Sequence, residues 1–110
     1  MTQEEQTMVQ LHRKKRIDIV VEAVRARAII EMIEAVGAKG YTIVPDVSGR
    51  GNRGVRDEAH LSDVFRNVLI IVIAAEEVAN RIVAESQPLL EDYAGIVVVS
   101  DVEVIRDEHF

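Results

Sequence analysis

The feature that most limits how this chain folds is its longest apolar run, Val68-Leu69-Ile70-Ile71-Val72-Ile73, which continues to Ala75. It is far shorter than the roughly 20 residues a membrane-spanning helix requires. It is also rich in β-branched residues, so Val64 to Ala75 reads as a strand. Apolar residues stand at both odd and even positions, a pattern that argues for burial on both faces. A four-stranded sheet with helices on one face leaves its other face wet. A second subunit is therefore expected to cover it.

The remaining elements follow from changes of period. Ile17 to Glu22 is β-branched and reads as a first strand. Ala26, Ile29, Ile30, Ile33 and Val36 then mark one face of a helix over residues 25–36, with Gly37 as its stop. Tyr41 to Val47 is a second strand, and Pro45 places its end at a bulge or a sheet edge. Glu76 and Glu77 open a second helix, favourably placed against its N-terminal dipole. Pro88 is expected to break that helix, with residues 89–95 leading to a last strand, Ile96 to Ile105. The order strand–helix–strand, long loop, strand–helix–strand predicts an α+β chain with a ferredoxin-like βαββαβ fold.

At 110 residues the chain is long enough for one domain and one core. Aromatic residues are only 4% of it, so that core must be aliphatic. Residues 1–16 end in the basic cluster Arg13-Lys14-Lys15-Arg16 and read as a solvated tail before a domain over 17–110; the charged end, residues 106–110, is expected to fray. A formal net charge of −6 argues against wholesale nucleic-acid binding. With no cysteine there is no disulfide, thiol catalysis or thiolate metal site. The polar N-terminus lacks a secretory pattern, and a cytoplasmic protein is expected.

Against that acidic background stands Ser48-Gly49-Arg50-Gly51-Asn52-Arg53-Gly54-Val55-Arg56. Three glycines within six residues permit close backbone approach to a ligand. Three arginines within seven supply forks suited to phosphate or carboxylate. Gly49-x-Gly51-x-x-Gly54 has the spacing of a dinucleotide fingerprint, but no helical periodicity opens on its last glycine, and there is no Walker lysine. His12, His60 and His109 are scattered without metal-ligand spacing. Asp57-Glu58 and Glu91-Asp92 are neighbours in sequence, a pattern of solvated charge more than of an acid–base pair. Nothing in the residues argues for an enzyme.

Gly37-Ala38-Lys39-Gly40-Tyr41-Thr42-Ile43-Val44, followed by Gly49-Arg50-Gly51-Asn52-Arg53, resembles the PII signal-transduction superfamily. Asp92-Tyr93-Ala94-Gly95-Ile96 is similar to its PII-like branch associated with bicarbonate transport and carboxysomes. The resemblance spans roughly residues 17–105. It implies a non-enzymatic homotrimer that binds an adenine nucleotide, AMP or ADP, between subunits, with bicarbonate modulating the binding. It further implies that the long loop, the T-loop of that family, contacts a target protein such as a bicarbonate transporter. Gly49, Arg50, Gly51 and Arg53, with Asn52 as the nearest amide, would line the phosphate side. Tyr93, Ala94, Gly95 and Ile96 would approach the nucleotide from the neighbouring subunit, and Arg50 and Arg53 would hold bicarbonate. No metal and no permanent cofactor is implied.

Three departures from the family narrow this expectation. Residues 48–62 hold no tyrosine for the modification some nitrogen-regulatory members undergo. The Gly-Asp-Gly-Lys phosphate loop is replaced by Gln87-Pro88-Leu89-Leu90-Glu91-Asp92, equipment better suited to a mono- or diphosphate than to a triphosphate. The cysteine pair of some relatives is missing. A competing reading is an RNA-binding ferredoxin-like domain that uses the Gly/Arg loop, though such domains present aromatic residues for base stacking. A third, a trimeric metal-tolerance protein of the same architecture, is disfavoured by the lack of cysteines and paired histidines.

Overall fold

The computed structural model describes residues 9–49 and 66–110. They form strands β1 (His12–Glu22), β2 (Thr42–Val47), β3 (Asn67–Ala74) and β4 (Gly95–Val104), and helices α1 (Ala26–Ala35) and α2 (Glu76–Leu90). Short 3-10 turns lie at Ala23–Arg25 and Asp107–His109. The sheet order is β2-β3-β1-β4, and every neighbouring pair is antiparallel. This is the expected ferredoxin-like arrangement, with the two apolar strands at its centre.

Register explains the core. Ile17 lies opposite Val72, Ile19 opposite Ile70 and Val21 opposite Val68. All six are buried, together with Ile29 and Ile33 of α1 and Ala79 and Ile82 of α2. Both helices therefore cover one face of the sheet, through aliphatic contacts alone. The first helix ends in a Schellman motif. Gly37, at φ 104°, donates its N–H to the Glu34 carbonyl, and Ala38 donates to that of Ile33. A β-carbon is strained at that φ, which explains the glycine.

Side chains of β3 alternate strictly between buried and half-buried. The expected burial on both faces is thus only half met within one chain. Leu69 and Ile71 lie on the face away from the helices, opposite Val20 and Asp18. Ile96 and Val98 of β4 extend that face and are 56% and 48% exposed. Pro45 sits where its missing N–H suggested, in the edge strand β2, beside a register shift between Val44 and Val47. The first residues of the third strand, Val64 and Phe65, lie outside the described residues.

Several boundaries differ from expectation, each for a physical reason. β1 starts at His12, not Ile17, so the basic cluster belongs to a strand. β4 supplies the opposite charges in register: Arg13 faces Glu103, and Lys15 faces Asp101. Pro88 does not end α2, which continues to Leu90. In the last turn a proline forfeits one hydrogen bond, to the Ala84 carbonyl, while Leu89 and Leu90 pack on the core and hold the turn. The charged C-terminus is a 3-10 turn, not a frayed end, because Lys14 Nζ meets Asp107 Oδ1 at 2.6 Å.

The carboxylates of these ion pairs are exposed, and solvent screens them. Lys15 Nζ donates to Asp101 Oδ1 at 2.6 Å and holds that carboxyl below the usual aspartate range, through the hydrogen bond first and the charge second. Lys14 acts the same way on Asp107. The Lys15 ammonium is raised in return, chiefly by the same hydrogen bond. A lowered carboxyl stabilises the fold above its unfolded value, about 3.9, and stops doing so as pH falls through the folded one. A raised ammonium stabilises below about 10.4, and the contribution fades as pH rises through its folded value. Both contributions therefore persist across neutral pH. The Asp101 carboxylate, followed by carbon-13 NMR, should titrate below an ordinary aspartate, and Lys15→Met should return it to the ordinary range; equal midpoints in the two proteins would refute the pairing.

Candidate functional site

The ladder places the described candidate residues at one end of the sheet. Val47 lies opposite Asn67, Glu22 opposite Asn67, and Val21 opposite Gly95. The end of β2, the start of β3, the end of β1 and the start of β4 therefore share this end. Gly49 follows β2, and Tyr93 and Ala94 lead into Gly95 and Ile96 at the start of β4. Arg50, Gly51, Asn52 and Arg53 lie outside the described residues.

Within one chain the two groups are not brought together. β2 and β4 are the opposite edges of the sheet. Three strand spacings separate them, about 14 Å at the usual 4.7–4.9 Å per step. Gly49 has open space where a β-carbon would stand. Tyr93, Ala94, Gly95 and Ile96 are all exposed. In the single chain these residues at both edges are open to solvent.

The β4 half is tightly built. α2 runs to Leu90, so only residues 91–94 connect it to the strand. The Tyr93 N–H donates to the Leu90 carbonyl at 3.1 Å and closes that turn. A β-carbon on Gly95 would stand 3.2 and 3.3 Å from the two terminal carbons of Leu90, and 3.4 Å from the Val20 carbonyl oxygen. Glycine fits here because of close approach, not because of an unusual φ: a β-carbon would press on the end of the Leu90 side chain.

Sequence reasoning missed Arg25 and Arg66. Arg25 lies in the turn after β1 with its guanidinium carbon 3.7 Å from the centroid of the Tyr93 ring. The Arg66 carbonyl accepts the Ala23 N–H at 2.7 Å, joining that turn to the start of β3. No local pattern signals either contact, because each links segments more than forty residues apart. The ion pairs at the other end of the sheet had a readable signal. The basic cluster of β1 and the alternation Asp101-Val102-Glu103-Val104 are complementary when run antiparallel.

The open face of the sheet carries Val20, Leu69, Ile71, Ile96 and Val98, and no Phe, Tyr or Trp among the described residues. It offers aliphatic packing surface and no stacking platform for bases, which weighs against the RNA-binding alternative. Among the described residues no group of three His, Asp or Glu is placed to hold a metal ion. No helix among them is long and apolar enough to cross a membrane.

Comparison with known proteins gives the site a context. Residues 14–109 match the family model for nitrogen regulatory protein P-II. CPII, a nitrogen regulatory PII-like protein from Thiomonas intermedia K12, solved bound to ADP, AMP and bicarbonate, is 28% identical. That match covers 93% of this chain and 97% of CPII, with a TM-score of 0.82. A putative PII-like signalling protein from Thermus thermophilus is 35% identical over 92% of this chain and 98% of its own, with a TM-score of 0.75. GlnK of Bacillus subtilis, solved with ATP, shares the fold at a TM-score of 0.61 and 15% identity, covering 82% of each chain.

The packing at Gly95 can be tested by a double-mutant cycle. Gly95→Ala should cost about 1–3 kcal/mol by overpacking against Leu90. Shortening Leu90 to Ala in the same chain should relieve part of that cost, so the two losses sum to more than the double mutant shows. Strict additivity in urea denaturation would mean that the two side chains do not compete for space.

Proposed function

The chain belongs to the nitrogen regulatory protein P-II family, and on that premise we propose that it is a non-enzymatic signalling protein sensing an adenine nucleotide, AMP or ADP, together with bicarbonate. The observation that carries the proposal is its similarity, over nearly the full length of both chains, to CPII bound to ADP, AMP and bicarbonate. The proposed action is that of a cytoplasmic regulator of inorganic-carbon uptake or fixation. Its loop between β2 and β3 would act as a T-loop on a target such as a bicarbonate transporter. Gly49, Arg50, Gly51, Asn52 and Arg53 form the phosphate half of the site, and Tyr93, Ala94, Gly95 and Ile96 the half given by the neighbouring chain. Arg50 and Arg53 are the first candidates for bicarbonate.

One feature favours a small phosphate chain and another a site between copies. The connection 91–94 is short, lacks a lysine and is preceded by helix, so it offers few donors to a triphosphate. Gly49 and Tyr93–Ile96 stand at opposite sheet edges, an arrangement suited to a ligand held between copies. A homotrimer meets that need and covers the half-exposed aliphatic face at the same time.

Two anions in one site repel, so their joint binding requires guanidinium groups and backbone N–H donors that outweigh the repulsion. Bicarbonate should tighten ADP binding by about 1–3 kcal/mol, roughly 5- to 150-fold, and linkage requires ADP to tighten bicarbonate by the same factor. Arg53→Ala should reduce that coupling. Arg27→Ala, on the outer surface of α1 with its partner Glu31 at a loose 3.9 Å, is the charge-matched control. Calorimetric titration of ADP with and without bicarbonate, at fixed pH and ionic strength, decides the matter: equal affinities remove bicarbonate from the proposal. Light scattering should give three times the chain mass at micromolar concentration, and a monomer there contradicts the trimer.

A further inference from the structure

Two ion pairs involve the face of the sheet that the helices leave open. Alternation along β1 turns Ile17, Ile19 and Val21 to the helices, and Lys14, Arg16 and Asp18 to the other side. Asp18 stands in the middle of that face, opposite Ile71 on β3 and Val98 on β4. Arg16 Nε donates to its Oδ1 at 2.8 Å along the same strand. Lys14 is met by Asp107 of the C-terminal turn, and His12 and Lys39 act on the same carboxyl through charge. The Lys14 side chain is 12% exposed and that of Asp18 27%, so both pairs are already partly withdrawn from water in one chain.

The pair of Lys15 with Asp101 has the same length as that of Lys14 with Asp107, but the opposite orientation. Lys15 shares the helix side of β1 with Ile17, and Glu76 at the start of α2 acts on it through charge. The chain thus carries matched lysine–aspartate pairs on the two sides of one strand.

Charge on a face that leaves water is costly unless its counter-charge leaves with it. In a closed ring of copies that cost recurs at every junction, because symmetry brings the same residues there. A face with unpaired charge of one sign would also meet that sign again on its neighbour. Here Lys14 and Arg16 each have a carboxylate from their own chain. A face balanced in this way gives a strongly charged partner little to hold. It suits a partner that is equally aliphatic and equally balanced, and a second copy of this chain is one.

We propose that Asp18 and Asp107 decide whether the open face can be covered by further copies of the chain, by holding Arg16 and Lys14 in neutral pairs as that face leaves water. This rests on the homotrimer of the reading above and adds to it the residues that permit it. Leu69, Ile71, Ile96 and Val98 supply the attraction, and the two carboxylates remove the repulsion that would oppose it.

The test is sedimentation of the full chain over a dilution series, in a fixed sub-denaturing concentration of urea at which the unaltered protein is half assembled within the series. Asp107→Asn and Asp18→Asn should each raise the concentration of half-assembly at least about tenfold. Asp101→Asn, which unpairs Lys15 on the helix side, should leave it unchanged. Lys14→Met combined with Asp107→Asn removes both charges and should recover most of the assembly, a rescue that a purely structural role for the C-terminal turn would not give. Should Asp18→Asn fail to fold, the Asp107 variants carry the comparison, with circular dichroism reporting that strands and helices are intact. If either carboxylate can be neutralised without loss of assembly, or if Asp101→Asn loses as much, the proposal is overturned and the homotrimer stands. An unaltered protein that is monomeric at micromolar concentration without urea overturns both.

Discussion

The structure depends on the antiparallel pairing of β1 with β3, which sets Ile19 against Ile70 and Ile17 against Val72. Every other element is positioned from this ladder. The helices pack on the face it buries, β2 and β4 add to its two free edges, and the described candidate residues, Gly49 and Tyr93–Ile96, lie at one of its ends. Backbone hydrogen bonds make the ladder and fix its direction, while the aliphatic side chains on its buried face add a non-directional contribution proportional to the area removed from water. What selects one register is alternation: a slip by one residue would turn Asp18 and Arg16 toward the helices. Their own ion pair, at 2.8 Å, belongs to the open face.

Much of the fold was legible because its signals are periodic and local. The spacing of Ile29, Ile30 and Ile33 marked α1, and Gly37 marked its end with the φ that only glycine adopts cheaply. Pro45 marked an edge strand with a bulge. What local reading misjudged depends on partners distant in sequence. Arg13 to Arg16 look like a solvated tail until Asp101 and Glu103 lie beside them. Pro88 looks like a helix terminator until Leu89 and Leu90 are seen packed on the core. The double parity of β3 pointed to a surface that a single chain leaves half-exposed.

The candidate site rests on composition and family likeness more than on geometry. Glycines and arginines at 49–53 have the composition expected of an anion site, and Tyr93 to Ile96 were reached through family likeness rather than through any physical signal of their own. Arg25 had no signal. An arginine in a strand-to-helix turn is ordinary until its ring partner, from the far side of the second helix, is known. The close packing at Gly95 was equally invisible, since it comes from Leu90 and the Val20 carbonyl rather than from backbone conformation.

The placement of Gly49 and Tyr93–Ile96 at opposite sheet edges has a thermodynamic consequence. If neighbouring copies complete the site, one folded chain in isolation has no whole site, and the number of sites equals the number of junctions between chains. Ligand uptake and assembly then draw on the same contacts and cannot be separated as free energies. A ligand that prefers the junction holds the ring together by mass action, and dilution of the protein loosens the ligand without any change in the ligand's own concentration. Such a sensor responds to two quantities at once, the amount of nucleotide and the amount of itself.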